Sequence, residues 1–208
     1  MGVTRQTFDF LHKWLDSSYH NSVCELGDQQ FLSCFPMAEK SHCSSYYRGK
    51  NMKYVSVDLN GKSDIFLNLN KENDIKGQFS FVTDFGTLEH VNDFYMGLKN
   101  MDMLCELGGT MIHVLPAPGH WPNHGSWRAG IGFWRKFGKA QKYIIKYLNI
   151  EPTDIGGSDA DQVYVVYEKT GNGFISREEF NTFGAYMEFE LEEYKEGEVS
   201  PWGKILYE

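Results

Sequence analysis

The sequence has few cysteines, no Cys-x-x-Cys pair, no long apolar run and no surplus of positive charge. Its four cysteines are Cys24, Cys34, Cys43 and Cys105, at spacings that fit neither a zinc site nor a disulfide framework. Cys24 lies in an apolar run and reads as a small buried hydrophobe. Thiols used this way point to a reducing compartment, so a cytoplasmic location is expected. No stretch approaches the roughly 18 apolar residues of a membrane span, and the opening MGVTRQTFDFLHKWLD lacks the apolar core of a signal peptide. No membrane partner is therefore expected. Lys and Arg number 20 against 28 Asp and Glu, a net charge of −8. A surface of that sign repels phosphate backbones and no basic cluster stands out, so no nucleic acid partner is expected either.

What is present is ordinary in bulk and specific in arrangement. At 208 residues the chain suits one domain, or one domain with an appendage. Aromatics make up 15%. They fit a bulky core or a ring-lined pocket, and the core reading is favoured because most rings fall in periodic segments. Residues 4–16 place Phe8, Leu11, Trp14 and Leu15 at helical spacing, with Thr4 as a cap. Ser22–Leu26, Lys53–Leu59, Gln78–Asp84, Thr110–Leu115 and Asp161–Lys169 read as strands, with weaker candidates at 63–69 and 149–155. Helices are expected over the start of 28–43, over 91–107 and over 133–148. Alternation of this kind implies a mainly parallel sheet with helices on both faces. Only Gly156–Ala160 joins the last two strands, too little for a crossover, so they should pair antiparallel.

In an open α/β sheet a ligand binds beyond the C-terminal strand ends, where the strand order reverses. Glu25-Leu26-Gly27-Asp28, Asp58 and Asp84-Phe85-Gly86-Thr87 fall at such ends, with Glu89 and His90 just beyond. One carboxylate at the end of the second strand can accept from both ribose hydroxyls of an adenosine, and Gly27 would let a cofactor approach the backbone. In order and spacing, the runs VCELGDQ, YVSVDLNGKSDIFLNLN, FSFVTDFGTLEHVND and LGGTMIHVLPAPGHW resemble the class I S-adenosylmethionine-dependent methyltransferases over about residues 20–170.

The resemblance implies an α/β fold: a three-layer, Rossmann-like, seven-stranded mixed sheet with an antiparallel last strand and helices on both faces. It implies S-adenosyl-L-methionine as cofactor. Glu25 and Gly27, with Asp28 beside them, would hold the methionine end. Asp58 would take the ribose hydroxyls, with Leu59 beside the adenine and Asn68 and Leu69 near its amino group. Asp84, Phe85, Gly86 and Thr87 would face the sulfonium and the substrate. Two departures stand out. Gln29 and Gln30 carry side chains where the family has glycines, and Asn68 stands where it often has an acid.

Methyl transfer asks the protein mainly for alignment and desolvation. His90 is a candidate base or simply a helix-start histidine, and Glu89 a candidate partner or a helix-terminus charge. His113, His120 and His124, near the end of the fifth strand and in the long loop 116–127, are read as lining the substrate mouth with Trp121 and Trp127, or as plain loop packing. Their spacing of seven and then four matches no metal motif, so no metal is assigned. EKTGNGFISREE at 168–179 has the glycine spacing of an EF-hand loop but begins on Glu168 after a strand, so calcium is not assigned. The expected organisation is a methyltransferase-like domain over 1–170 and a C-terminal extension over 171–208 that packs on the domain or on a partner subunit in a homo-oligomer. The expected function is methyl transfer to a small-molecule or saccharide-like acceptor. A catalytically impaired binding or assembly module is the alternative. A nicotinamide enzyme is disfavoured because no Gly-x-Gly-x-x-Gly follows the first strand.

Overall fold

The computed structural model describes residues 2–16, 20–31, 42–153 and 160–187. Seven strands form one mixed sheet. In chain order they are β2 (Ser22–Leu26), β4 (Lys53–Asp58), β5 (Ile65–Phe66), β6 (Phe79–Phe85), β7 (Cys105–Pro116), β9 (Ile144–Glu151) and β10 (Gln162–Glu168). Their order across the sheet is β5-β4-β2-β6-β7-β10-β9. Neighbours from β5 to β7 are parallel, while β10 runs antiparallel to both β7 and β9. The chain starts the sheet at β2, builds outward to β4 and β5, and returns to the other side with β6. The order therefore reverses between β2 and β6, which fixes where a crevice can open.

Both faces of the sheet are covered. Along β10, Val163, Val165 and Tyr167 join one core cluster and Tyr164 and Val166 the other, as the two-residue period of a strand requires. The helices α1 (Arg5–Asp16) and α2 (Cys43–Gly49) contribute Leu11, Leu15, Cys43 and Tyr47 to the second cluster. The helices α3 (Phe94–Leu104), α4 (Ile131–Ala140) and α5 (Arg177–Asn181) supply Phe94, Leu98, Met101, Phe133, Trp134, Phe137 and Phe180 to the first. Thr4 caps α1 by accepting from the Thr7 amide at 3.1 Å, and Asp93 caps α3 by accepting from Met96 at 3.1 Å.

Three expectations are corrected. The segment expected to start a helix at Asp28 instead forms a short strand β3 (Gln30–Phe31), paired in parallel with β1 (Gly2–Val3); residues 32–41 lie outside the described residues. The helix expected over 133–148 ends at Ala140, and the strand expected at 149–155 begins at Ile144. Lys142 takes a left-handed φ of 60° and the Tyr143 amide donates back to Gly138 O at 2.8 Å, which closes the helix. From Ile144 on, the β-branched and aromatic residues pair with β10, and that ladder overrides the local helical period. Beyond β10, Phe174, Phe180 and Phe183 pack against the rings of α3 and α4, and β11 (Tyr186–Met187) pairs with β8 (Trp127–Arg128).

Candidate functional site

The ends of β2, β4 and β6 bring together Glu25 to Gln29, Asp58 to Asn60 and Asp84 to His90. After Leu26 the chain turns at Gly27, whose φ is +79° and whose amide donates to Val57 O at 2.8 Å. A Cβ there would lie 2.7 Å from both Gln29 Nε2 and Thr87 Oγ1, so only glycine fits. Gln29 is buried and fills the turn: its Nε2 donates to Leu26 O at 3.2 Å and to Thr87 Oγ1 at 3.1 Å. The Thr87 hydroxyl donates in turn to Leu26 O at 2.8 Å.

Asp58 ends β4 with its carboxylate already engaged. It accepts from the backbone amides of Asp28 at 3.0 Å and Leu59 at 2.6 Å, and from Asn60 Nδ2 at 3.0 Å. Asp28 itself pairs with His42 Nδ1 at 3.0 Å. Asn68 Oδ1 accepts from the Asn70 amide at 2.9 Å and so shapes the turn after β5, while Leu69 is buried in the first core cluster. Glu25 is wholly buried within β2. Its Oε2 accepts from the Tyr54 hydroxyl at 2.6 Å and the Gln29 amide at 3.3 Å, and its Oε1 has no hydrogen-bond partner. Burial, only partly countered by Tyr54, pushes its pKa up to about 8.

The end of β6 divides its residues between core and site. Phe85 packs in the second core cluster, and Gly86 turns the chain at φ +72°. Asp84 is fully buried; its Oδ1 accepts from the Thr87 and Leu88 amides, both at 3.1 Å, and holds the 3-10 turn Leu88–His90. Its Oδ2 lies 3.0 Å from His113 Nδ1 in β7. The three histidines read together in the sequence are separated: His113 is buried beside Asp84, His120 holds the Asp161 amide at 3.2 Å, and only His124 reaches the 3-10 turn. Trp121 donates from its indole to Ala160 O at 2.7 Å.

His124 meets Glu89 and His90. The Nε2 atoms of both imidazoles lie 3.8 Å from Glu89 Oε1, and one ligand atom from each of the three residues falls within 4.8 Å of the others. Burial, then the neighbouring Asp84, holds the Glu89 carboxyl well above the usual carboxylate range. Burial also lowers His90 to about 3 and lowers His124, so both rings are neutral at pH 7. Arg128 was not singled out by sequence reasoning, because a lone arginine beside a tryptophan carries no periodic signal. It is fully buried and donates to the carbonyls of Trp127, Trp121 and His124 at 2.8–3.0 Å, bracing the loop that carries His124.

No protein-family profile matches the chain, and no curated protein matches it in sequence. Solved structures do. The 1,6-didemethyltoxoflavin N1-methyltransferase of Burkholderia thailandensis, solved with 1,6-didemethyltoxoflavin and S-adenosylhomocysteine, superposes at TM-score 0.56 and 12% identity over 80% of this chain and 78% of that one. A SAM-dependent methyltransferase of Methanosarcina mazei gives 0.52 and 11% over 77% and 97%. One from Mesorhizobium loti gives 0.50 and 11% over 71% and 90%. The fold is that of the class I methyltransferases, antiparallel last strand included. Among the described residues, no helix is long and apolar enough to cross a membrane.

Proposed function

We propose that the protein is an S-adenosylmethionine-dependent methyltransferase acting on a small-molecule acceptor, saccharide-like acceptors included. The observation that carries this reading is the placement of Gly27 and Asp58 at adjacent strand ends beside the point where strand order reverses, in a fold shared with enzymes that use this cofactor. The residues fit the group. Gly27 leaves its backbone bare, and the unpartnered buried Oε1 of Glu25 suits an ammonium such as the one at the methionine end. Asp58 would accept from ribose hydroxyls after releasing Asn60 or one of its two backbone donors. Leu59, Asn68 and Leu69 would lie toward the adenine, and Asp28, Gly86 and Thr87 toward the methionine and sulfonium. The cofactor would supply an electrophilic methyl group. Glu89 suits the base for an acceptor proton better than His90, since burial raises its carboxyl and so makes it the stronger base, while burial lowers His90 to about 3.

A second reading has its own support. Gln29 fills the turn that the family leaves open, and Asp58 is bonded three times within the chain, as in a module that keeps the fold without the chemistry. Calorimetry with S-adenosylhomocysteine separates the two. Binding at one site per chain, weakened by about 1–3 kcal/mol in Asp58→Ala, is the expected result. No heat and no thermal shift at millimolar ligand would leave only the module.

A further inference from the structure

Outside the ribose and methionine positions, the 3-10 turn Leu88–His90 and the loop Trp121–Ser126 build a second polar site. Glu89 is buried to 1% exposure, and neither of its carboxylate oxygens has a hydrogen-bond partner. A buried carboxylate in that state is costly unless a cation or a proton meets it. What stands in front of it is a pair of imidazole nitrogens: His90 Nε2 and His124 Nε2, each 3.8 Å from Oε1. Both imidazoles keep part of their surface in solvent, 28% and 21%, which gives an ion a way in.

The arrangement is held from several sides. The Ser126 amide donates to Glu89 O at 2.6 Å, tying the loop to the turn. Arg128 grips the His124 carbonyl at 3.0 Å. Gly125, at φ +69°, passes so close that a Cβ would lie 2.4 Å from Glu89 Cγ. Histidine and carboxylate ligands sit about 2.0–2.2 Å from a zinc ion, so two of them on one ion are about 3.0–3.5 Å apart at tetrahedral or octahedral angles. The 3.8 Å from Glu89 Oε1 to each imidazole closes to that by a few tenths of an ångström, and the two imidazoles, within 4.8 Å of each other, by side-chain rotation on the order of an ångström.

The geometry points to a divalent transition-metal site, zinc in the first instance, formed by Glu89, His90 Nε2 and His124 Nε2. Two imidazoles and one carboxylate make a borderline donor set that favours zinc or a similar transition ion over magnesium or calcium, which prefer all-oxygen shells. Three protein ligands leave a coordination position open on the solvent side, the pattern of a metal that takes water or an oxygen of a substrate rather than one that only braces the fold. Metal binding here does not rest on the methyltransferase reading. If both hold, the ion would take over activation of the acceptor oxygen and Glu89 would serve as its ligand.

The test is equilibrium dialysis of chelator-treated full-length protein against Zn2+. One tightly held zinc per chain is expected. His90→Ala and His124→Ala should each weaken it more than about 100-fold, beyond the effect of losing an outer-shell partner, while His120→Ala, in the same loop, keeps it. The absence of stoichiometric zinc, or retention in both variants, would overturn the site. Should the variants fail to fold, Co2+ loaded into the unaltered protein decides: X-ray absorption with imidazole nitrogen ligands supports the site, and an all-oxygen shell sinks it. Zinc bound without S-adenosylhomocysteine binding would leave this site standing and remove the cofactor proposal; the reverse result would do the opposite.

Discussion

At the end of β4 the Asp58 carboxylate accepts three hydrogen bonds from its own chain, whereas after β6 the Glu89 carboxylate, more deeply buried, accepts none. The same contrast separates Asp84, satisfied by the Thr87 and Leu88 amides, from Glu25, which keeps one oxygen without a partner. Side-chain length accounts for much of it. An aspartate is short enough to bond the amides of the turn it opens. A glutamate reaches past its own turn and depends on what the rest of the fold brings. In this chain the aspartates shape the loops, and the glutamates carry the unmet polarity that a ligand can satisfy.

The largest expected effect lies at Glu25. Its pKa in the folded protein, about 8, stands above its ordinary value of 4.5 because of burial. The stability this gives is fully present below pH 4.5 and is lost as pH rises through 8. Denaturant melts from pH 5 to pH 8 should therefore show a loss on the order of 3 kcal/mol, and Glu25→Gln should flatten it. An unchanged slope in the variant would show that Glu25 is not the unsatisfied group it is taken to be.

A smaller effect is expected at the second site. Gly125→Ala forces a side chain into a left-handed backbone and against Glu89 Cγ, and should cost about 2 kcal/mol in urea melts. The smallest effect bears most directly on the comparison, because its sign differs between the two ends. Asp58→Ala leaves three donors to find water and should destabilise by about 1 kcal/mol. Glu89→Gln, measured in chelator-treated protein, replaces a buried carboxyl that has no hydrogen-bond partner with a neutral amide of the same shape and should stabilise by about 1 kcal/mol. Equal signs from thermal melts would erase the distinction between satisfied and unsatisfied carboxylates.

Much of the frame was legible in the residues. Val, Ile and Phe runs bounded by turn residues marked β2, β4, β6 and β10, and the short connection expected between the last two strands pointed to the antiparallel end of the sheet that β9 and β10 form. The register of α4 was not legible. Ile144, Ile145 and Leu148 keep a helical spacing, and only the open edge of β10 turns them into a strand. The site divides the same way. Glu89 and His90 could be named because they follow a strand end directly. Their meeting with His124, and the parting of His113 toward Asp84, could not be read from spacing along a loop.

The sequence by itself determined the order of the main sheet strands, the glycine at position 27 and the acid at the end of each crevice strand, because these follow from local periodicity and from steric rules within a few residues. Only the tertiary structure decided which of those acids would be satisfied. That outcome depends on which donors distant segments bring within about 3 Å, and hydrogen bonds of that range are fixed by packing, not by neighbours in the chain.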